Sequence, residues 1–110
     1  MTGIETTSRG VALIAAERDR QPTEEGYTAE HDRGHAGELA TAGAAYAFGQ
    51  GYALQHPGDG GRQYLDKVPA GVWPWAWHFW KPSRSAVRTL VKAGALIAAA
   101  IDSLLAAEEH

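Results

Sequence analysis

SAVRTLVKAGALIAAAIDSLLAA, the stretch from Ser85 to Ala107, decides how this chain folds. Val87, Leu90, Val91, Gly94, Ile97, Ile101, Leu104 and Leu105 return every three or four residues, so the spacing predicts a long helix that buries them as one stripe. The opening of that helix is chemically unusual. A helix N-terminus carries partial positive charge and favours Asp or Glu by about 0.3–1 kcal/mol, yet this one carries Lys81, Arg84 and Arg88. Arg84, Arg88 and Lys92 stand four residues apart and share a face, so their repulsion calls for a counter-charge.

Immediately upstream, Trp73-Pro74-Trp75-Ala76-Trp77-His78-Phe79-Trp80-Lys81-Pro82 holds all four tryptophans of the chain. Prolines at 74 and 82 exclude a continuous helix, which predicts an extended or turn-rich aromatic strip. Free amides at a helix start, guanidinium forks and indole faces together suit a nucleotide. The competing reading has the acidic segment 24–38 pairing with this helix end while the tryptophans plug a small core.

Working back toward the N-terminus, Ser8 to Arg20 reads as a helix, with Thr7 or Ser8 as its cap, Val11, Ile14 and Ala15 at helical spacing, and Gln21-Pro22 as its stop. Thr23 to Gly37 is polar and broken by Gly26, Gly34 and Gly37, so an ordered loop is expected. Glu38 to about Tyr52 turns helical again, with Leu39, Ala42, Ala45 and Tyr46 on one side and small residues that permit close helix contact. Gln55 to Gly71 contains His-Pro-Gly-Asp-Gly-Gly, read as a flexible turn, followed by Tyr64 and Leu65 as anchors to the core. The expected architecture is a mainly α single domain over residues 1–110: three helices and a short extended aromatic segment.

Composition narrows the function classes. With 110 residues, 45% hydrophobic and 21% charged, the chain matches a single globular domain. Much of the apolar content is alanine, which buries little surface per residue, so self-association into a homo-oligomer is expected. Cysteine is absent, which removes disulfides and thiolate metal sites. Neither the N-terminal residues nor the span Ala93 to Ala107, which holds Asp102, reads as a signal peptide or membrane crossing, so a cytoplasmic protein without a membrane partner is expected. Residues 1–66 carry five basic and ten acidic side chains, residues 67–110 five and three. That balance argues against duplex nucleic acid as a partner and leaves room for a small anion on the C-terminal half.

Catalytic motifs are sparse. His31 and His35 have the H-x-x-x-H spacing that places two imidazoles on one helical face, and Glu38 follows one turn on. With Asp32 they form the candidate metal centre of a nucleotide hydrolase, although a zincin would place Glu where Asp32 stands, and Gly34 weakens any helix there. The more conservative reading makes these side chains caps and ion-pair partners of Arg18, Arg20 or Arg88. No E-x-x-E or E-x-x-D pair of the all-α pyrophosphohydrolase kind occurs. Glu17-Arg18-Asp19-Arg20 reads as a solvated alternating-charge face. Gly58-Asp59-Gly60-Gly61-Arg62 lacks the Lys-Ser/Thr ending of a phosphate loop, and Ser85 lacks the partners of a nucleophilic triad.

Several segments, taken in order, resemble a family of small phage and prophage proteins without an assigned activity: Ala-Glu-Arg-Asp-Arg-Gln at 16–21, Glu25-Gly26-Tyr27-Thr28-Ala29-Glu30-His31-Asp32, Gly37-Glu38-Leu39, Trp73-Pro74-Trp75, Trp80-Lys81-Pro82 and Leu90 to Ile97. The resemblance spans most of the chain and implies a viral or prophage origin and a host-cell cytoplasm. More distantly, a helix followed by Gly-aromatic-Thr, an acidic residue and His, then a later Lys and a closing helix, is similar to the repeat domain of ryanodine receptors. That likeness implies adenine-nucleotide binding, while Glu38 to Gly71 departs from the repeat.

The leading expectation is a non-enzymatic phage protein, with no cofactor, that sequesters a nucleotide-derived immune signal. Trp75, Trp77 and Trp80 would stack the base, Lys81, Arg84 and Arg88 would hold phosphate, and Tyr27 with Asp32 would contact ribose. The alternatives are the metal-dependent hydrolase built on His31, Asp32, His35 and Glu38, and a protein-binding inhibitor of a host defence enzyme with the tryptophans as its hot spot.

Overall fold

The computed structural model describes residues 8–24, 34–67, 69 and 71–108. Among them the chain is mainly α: α1 Arg9–Glu24, α2 Ala36–Gln55, α3 Asp59–Asp66 and α4 Ala86–Glu108, with a 3-10 turn at Trp77–Phe79 and no strand. Tyr27, His31 and Asp32 lie outside the described residues.

Local chemistry accounts for most of these limits. Ser8 caps α1 by accepting the Val11 N–H at 3.1 Å. The helix continues past Gln21-Pro22, where a stop was expected, and ends at Glu24, so the donor missing at Pro22 falls in its last turn. The glycine-rich run expected as a flexible turn instead opens the two-turn helix α3. Gly58 enters it with φ of 101°, and an Arg62–Asp66 pair at 3.0 Å spans one turn of it. Gly61 has to be glycine there, because any Cβ would overlap the His56 carbonyl oxygen.

α4 occupies the middle of the fold: it packs against α1 and α2, and α3 packs against the other part of α2. Small residues make the α2 contacts possible. A methyl at Gly43 would sit 2.9 Å from the Ala93 carbonyl oxygen and 2.8 Å from Ile97 Cγ1. One at Gly49 would sit 2.7 Å from the Tyr64 carbonyl oxygen. Leu39, Ala42, Ala45 and Tyr46 are buried on α2 as the periodicity predicts, and they meet Leu65, Trp80, Ala93, Leu96, Ala99 and Ala100 in one core.

The buried face of α4 is a correction to the sequence reading. Thr89, Val91, Ala93, Ala95, Leu96, Ala99, Ala100 and Ser103 are buried, whereas Val87, Leu90, Ile97, Ile101, Leu104 and Leu105 are exposed. Close approach of α2 selects the alanine side, because the large aliphatic side would hold the two backbones apart. α4 is also the one described helix long and apolar enough, by length and composition, to cross a membrane. In this fold it carries the buried hydroxyls Thr89 and Ser103 and serves as the seat of two other helices.

Gly43 and Gly94 predict different responses to one methyl group. Gly43→Ala must push apart two backbones and is expected to lose about 1–3 kcal/mol in urea unfolding. A methyl at Gly94 meets only the side chain of Ile14, at 2.5 Å from Cδ1. That side chain can rotate away, and alanine gains about 0.5–1 kcal/mol in a helix, so Gly94→Ala is expected to leave the midpoint nearly unchanged.

Candidate functional site

The aromatic strip is held against three helices. A turn at Gly71, with φ of 81°, is closed by the Val72 and Trp73 amides donating to the Pro69 carbonyl at 3.2 and 3.1 Å. Trp80 is buried. Its ring stacks on Tyr46 with centroids 4.6 Å apart and planes 9° from parallel, and its indole N–H donates to the Leu65 carbonyl at 2.9 Å. Trp73 stands edge-on to both Tyr46 and Trp80, at 5.3 and 5.0 Å. The Tyr46 hydroxyl accepts the Lys81 N–H at 3.0 Å, which ties the end of the strip to α2. Lys92 Nζ lies 5.3 Å over the Tyr46 ring and donates to the Lys81 carbonyl at 3.0 Å.

Trp75 joins the two clusters singled out in the sequence. Its indole N–H donates to Glu38 Oε2 at 3.1 Å, and the other oxygen of Glu38 meets His35 Nδ1 at 3.0 Å. These two hydrogen bonds, His35 first, hold the Glu38 carboxyl below its ordinary value. Among the described residues no three metal-ligating side chains converge; His31 and Asp32, the other members of the expected centre, lie outside those residues.

What the strip leaves in the open is the 3-10 turn. Trp77 is 75% exposed and Phe79 54%, with His78 between them, its ring 4.3 Å from that of Phe79. Two turn hydrogen bonds of 3.0 Å, Phe79 N–H to Ala76 O and Trp80 N–H to Trp77 O, fix the backbone beneath them.

The start of α4 is less open to an anion than the sequence suggests. Ser85 Oγ accepts the Arg88 N–H at 3.1 Å, Ser83 Oγ accepts the Ser85 N–H at 3.1 Å, and the fully buried Thr89 hydroxyl accepts the Ser83 N–H at 3.0 Å. Arg88 is committed as well. Its Nη2 meets Glu17 Oε1 at 2.7 Å, while Arg20 grips the same carboxylate at 2.6 and 2.9 Å. Glu17 is only 3% exposed, and its carboxyl is lowered from 4.5 to about 2, chiefly by the Arg20 hydrogen bonds and also by Arg88. Beside this bridge an open cleft of about 410 Å³ is walled by Leu13, Ala16, Val87 and Val91 and rimmed by Ser85 and the charged trio. Lys81 and Arg84 are exposed, and their side chains make no hydrogen bond or ion pair among the described residues.

Of the eight residues expected to hold a nucleotide, Tyr27 and Asp32 lie outside the described residues, and the other six are dispersed. Trp80 sits in the core, Arg88 turns to α1, Trp75 gives its N–H to Glu38, and Trp77, Lys81 and Arg84 remain on the surface. The reading of Glu17-Arg18-Asp19-Arg20 as a solvated face is corrected for Glu17. The available signal is its position one turn beyond Leu13 and Ile14, which lie against α4. No protein-family model, curated protein or solved structure matches the chain. The fold and site define a small, mainly α domain with a projecting aromatic turn, and the phage and ryanodine-repeat likenesses rest on the motifs quoted above.

Proposed function

We propose that this chain is a non-enzymatic binding protein that grips a protein partner with the Trp77-His78-Phe79 turn. The observation that carries the reading is the contrast between Trp77, three-quarters exposed, and the packed Trp73 and Trp80 behind it. Exposing a tryptophan on a rigid support costs little ordering on binding, and such residues dominate the energetics of protein interfaces. Taken with the phage likeness, the partner is a host defence enzyme in the bacterial cytoplasm and the chain is its inhibitor.

A second reading keeps the capture of a nucleotide-derived signal, with Trp77 as the stacking face and Lys81 and Arg84 as the phosphate contacts. It is favoured by the lack of a counter-charge on those two cations among the described residues. Trp77→Ala is expected to weaken partner binding by about 30-fold or more while leaving the helical circular dichroism unchanged. Calorimetry of the parent with ATP, ADP-ribose and cyclic dinucleotides is expected to show no heat. Heat that disappears in both Trp77→Ala and Arg84→Ala would replace the protein partner with the nucleotide.

A further inference from the structure

Among the described residues, the outward face of α4 leaves a row of large aliphatic side chains exposed. Val87, Leu90, Gly94, Ile97, Ile101 and Leu104 follow one another at alternating intervals of three and four residues, the repeat of a helix-pairing seam. Leu90 and Ile97 are 39% and 42% exposed, and Ile101, Leu104 and Val87 are 51%, 58% and 61% exposed. α1 and α2 flank this seam without covering it: Ile14 packs on Gly94 from one side, and Gly43 meets Ile97 from the other. The two ends of the face carry opposite charge. Exposed Lys81 and Arg84 stand at its start, and exposed Glu108 stands at its finish.

We propose that two copies of this chain pair through α4, the helices antiparallel about a two-fold axis between Gly94 and Ile97. In that register Val87 of one copy faces Leu104 of the second, Leu90 faces Ile101, and the two Ile97 side chains flank the axis. Arg84 then lies across from the turn that holds Glu108, so the charged ends attract twice, and the helix dipoles oppose. A parallel pair would set Arg84 against Arg84 and Glu108 against Glu108. The pairing also gives the exposed aliphatic side of α4 the burial that the alanine-rich core does not supply.

Sedimentation velocity of the full chain is expected to show twice the 11.8 kDa chain mass. Ile101→Glu is expected to give a monomer with its helical signal retained. Arg84→Glu should weaken the dimer, and adding Glu108→Arg to it should restore the dimer. Because the chain has no cysteine, orientation is read directly: the double variant Val87→Cys with Leu104→Cys cross-links under oxidation, and each single variant does not. A parent that stays monomeric at high concentration overturns the proposal, as does like-to-like cross-linking of the single variants. A free monomer that floats with phosphatidylcholine vesicles also overturns it, assigning the face to lipid.

Discussion

Trp80→Ala is expected to cost about 3–5 kcal/mol, a large share of the roughly 5–15 kcal/mol that holds a small domain together. Trp80 fills the space among α2, α3 and the strip, and alanine there leaves a cavity that the neighbouring alanines cannot close. Three contacts go at once: the stack on Tyr46, the edge of Trp73 and the bond to the Leu65 carbonyl. Trp80→Phe keeps a ring but leaves that carbonyl without its donor, at a cost of about 1–3 kcal/mol. Urea unfolding of the two variants separates the packing loss from the hydrogen-bond loss. A midpoint for Trp80→Ala close to that of the parent would show that the strip is not part of the core.

The second large effect is expected at Glu17. Its carboxylate bridges Arg20 on its own helix and Arg88 on α4, and it is almost wholly covered. Removing one member of a buried ion pair costs about 3–5 kcal/mol when all members are buried. Both guanidiniums here reach water, so Glu17→Gln is expected to lose about 2–3 kcal/mol, with Tm lower by on the order of 10 °C. Acid should act in the same way. Because folding lowers this carboxyl from 4.5 to about 2, the bridge contributes its full stability above pH 4.5 and loses it as the pH falls toward 2. Acid titration of the parent is therefore expected to destabilise it across that window, and Glu17→Gln is expected to be flatter there. Equal acid sensitivity of the two proteins would remove the bridge from the account.

Much of the secondary structure was legible before any coordinates. The closing helix is expected from Ser85 to Ala107 and runs Ala86–Glu108, because an unbroken three-and-four spacing leaves little choice. The strip between the prolines holds only a 3-10 turn and no α-helix, also for a local reason. α3 was not legible. Gly60 and Gly61 each disfavour a helix by about 1 kcal/mol, and the helix exists because Leu65 is buried and Gly61 lets the chain fold back under His56. The candidate site was legible in its residue types and illegible in its pairings. Arg88 needed a counter-charge, but nothing local in the chain could show that the carboxylate would be Glu17, 71 positions away.

By itself, then, the amino-acid order determined the long helices α2 and α4 and the break between the prolines, since prolines and periodicity act within a few residues, but it set neither the end of α1 nor the presence of α3. Only the tertiary structure decided which side of α4 is covered. Alanines and glycines let α2 and α4 approach closely, and that approach left the leucines and isoleucines facing outward. It also decided which aromatic residues stand exposed, because Trp80 and Trp73 find partners on helices far along the chain while Trp77 finds none of comparable area among the described residues.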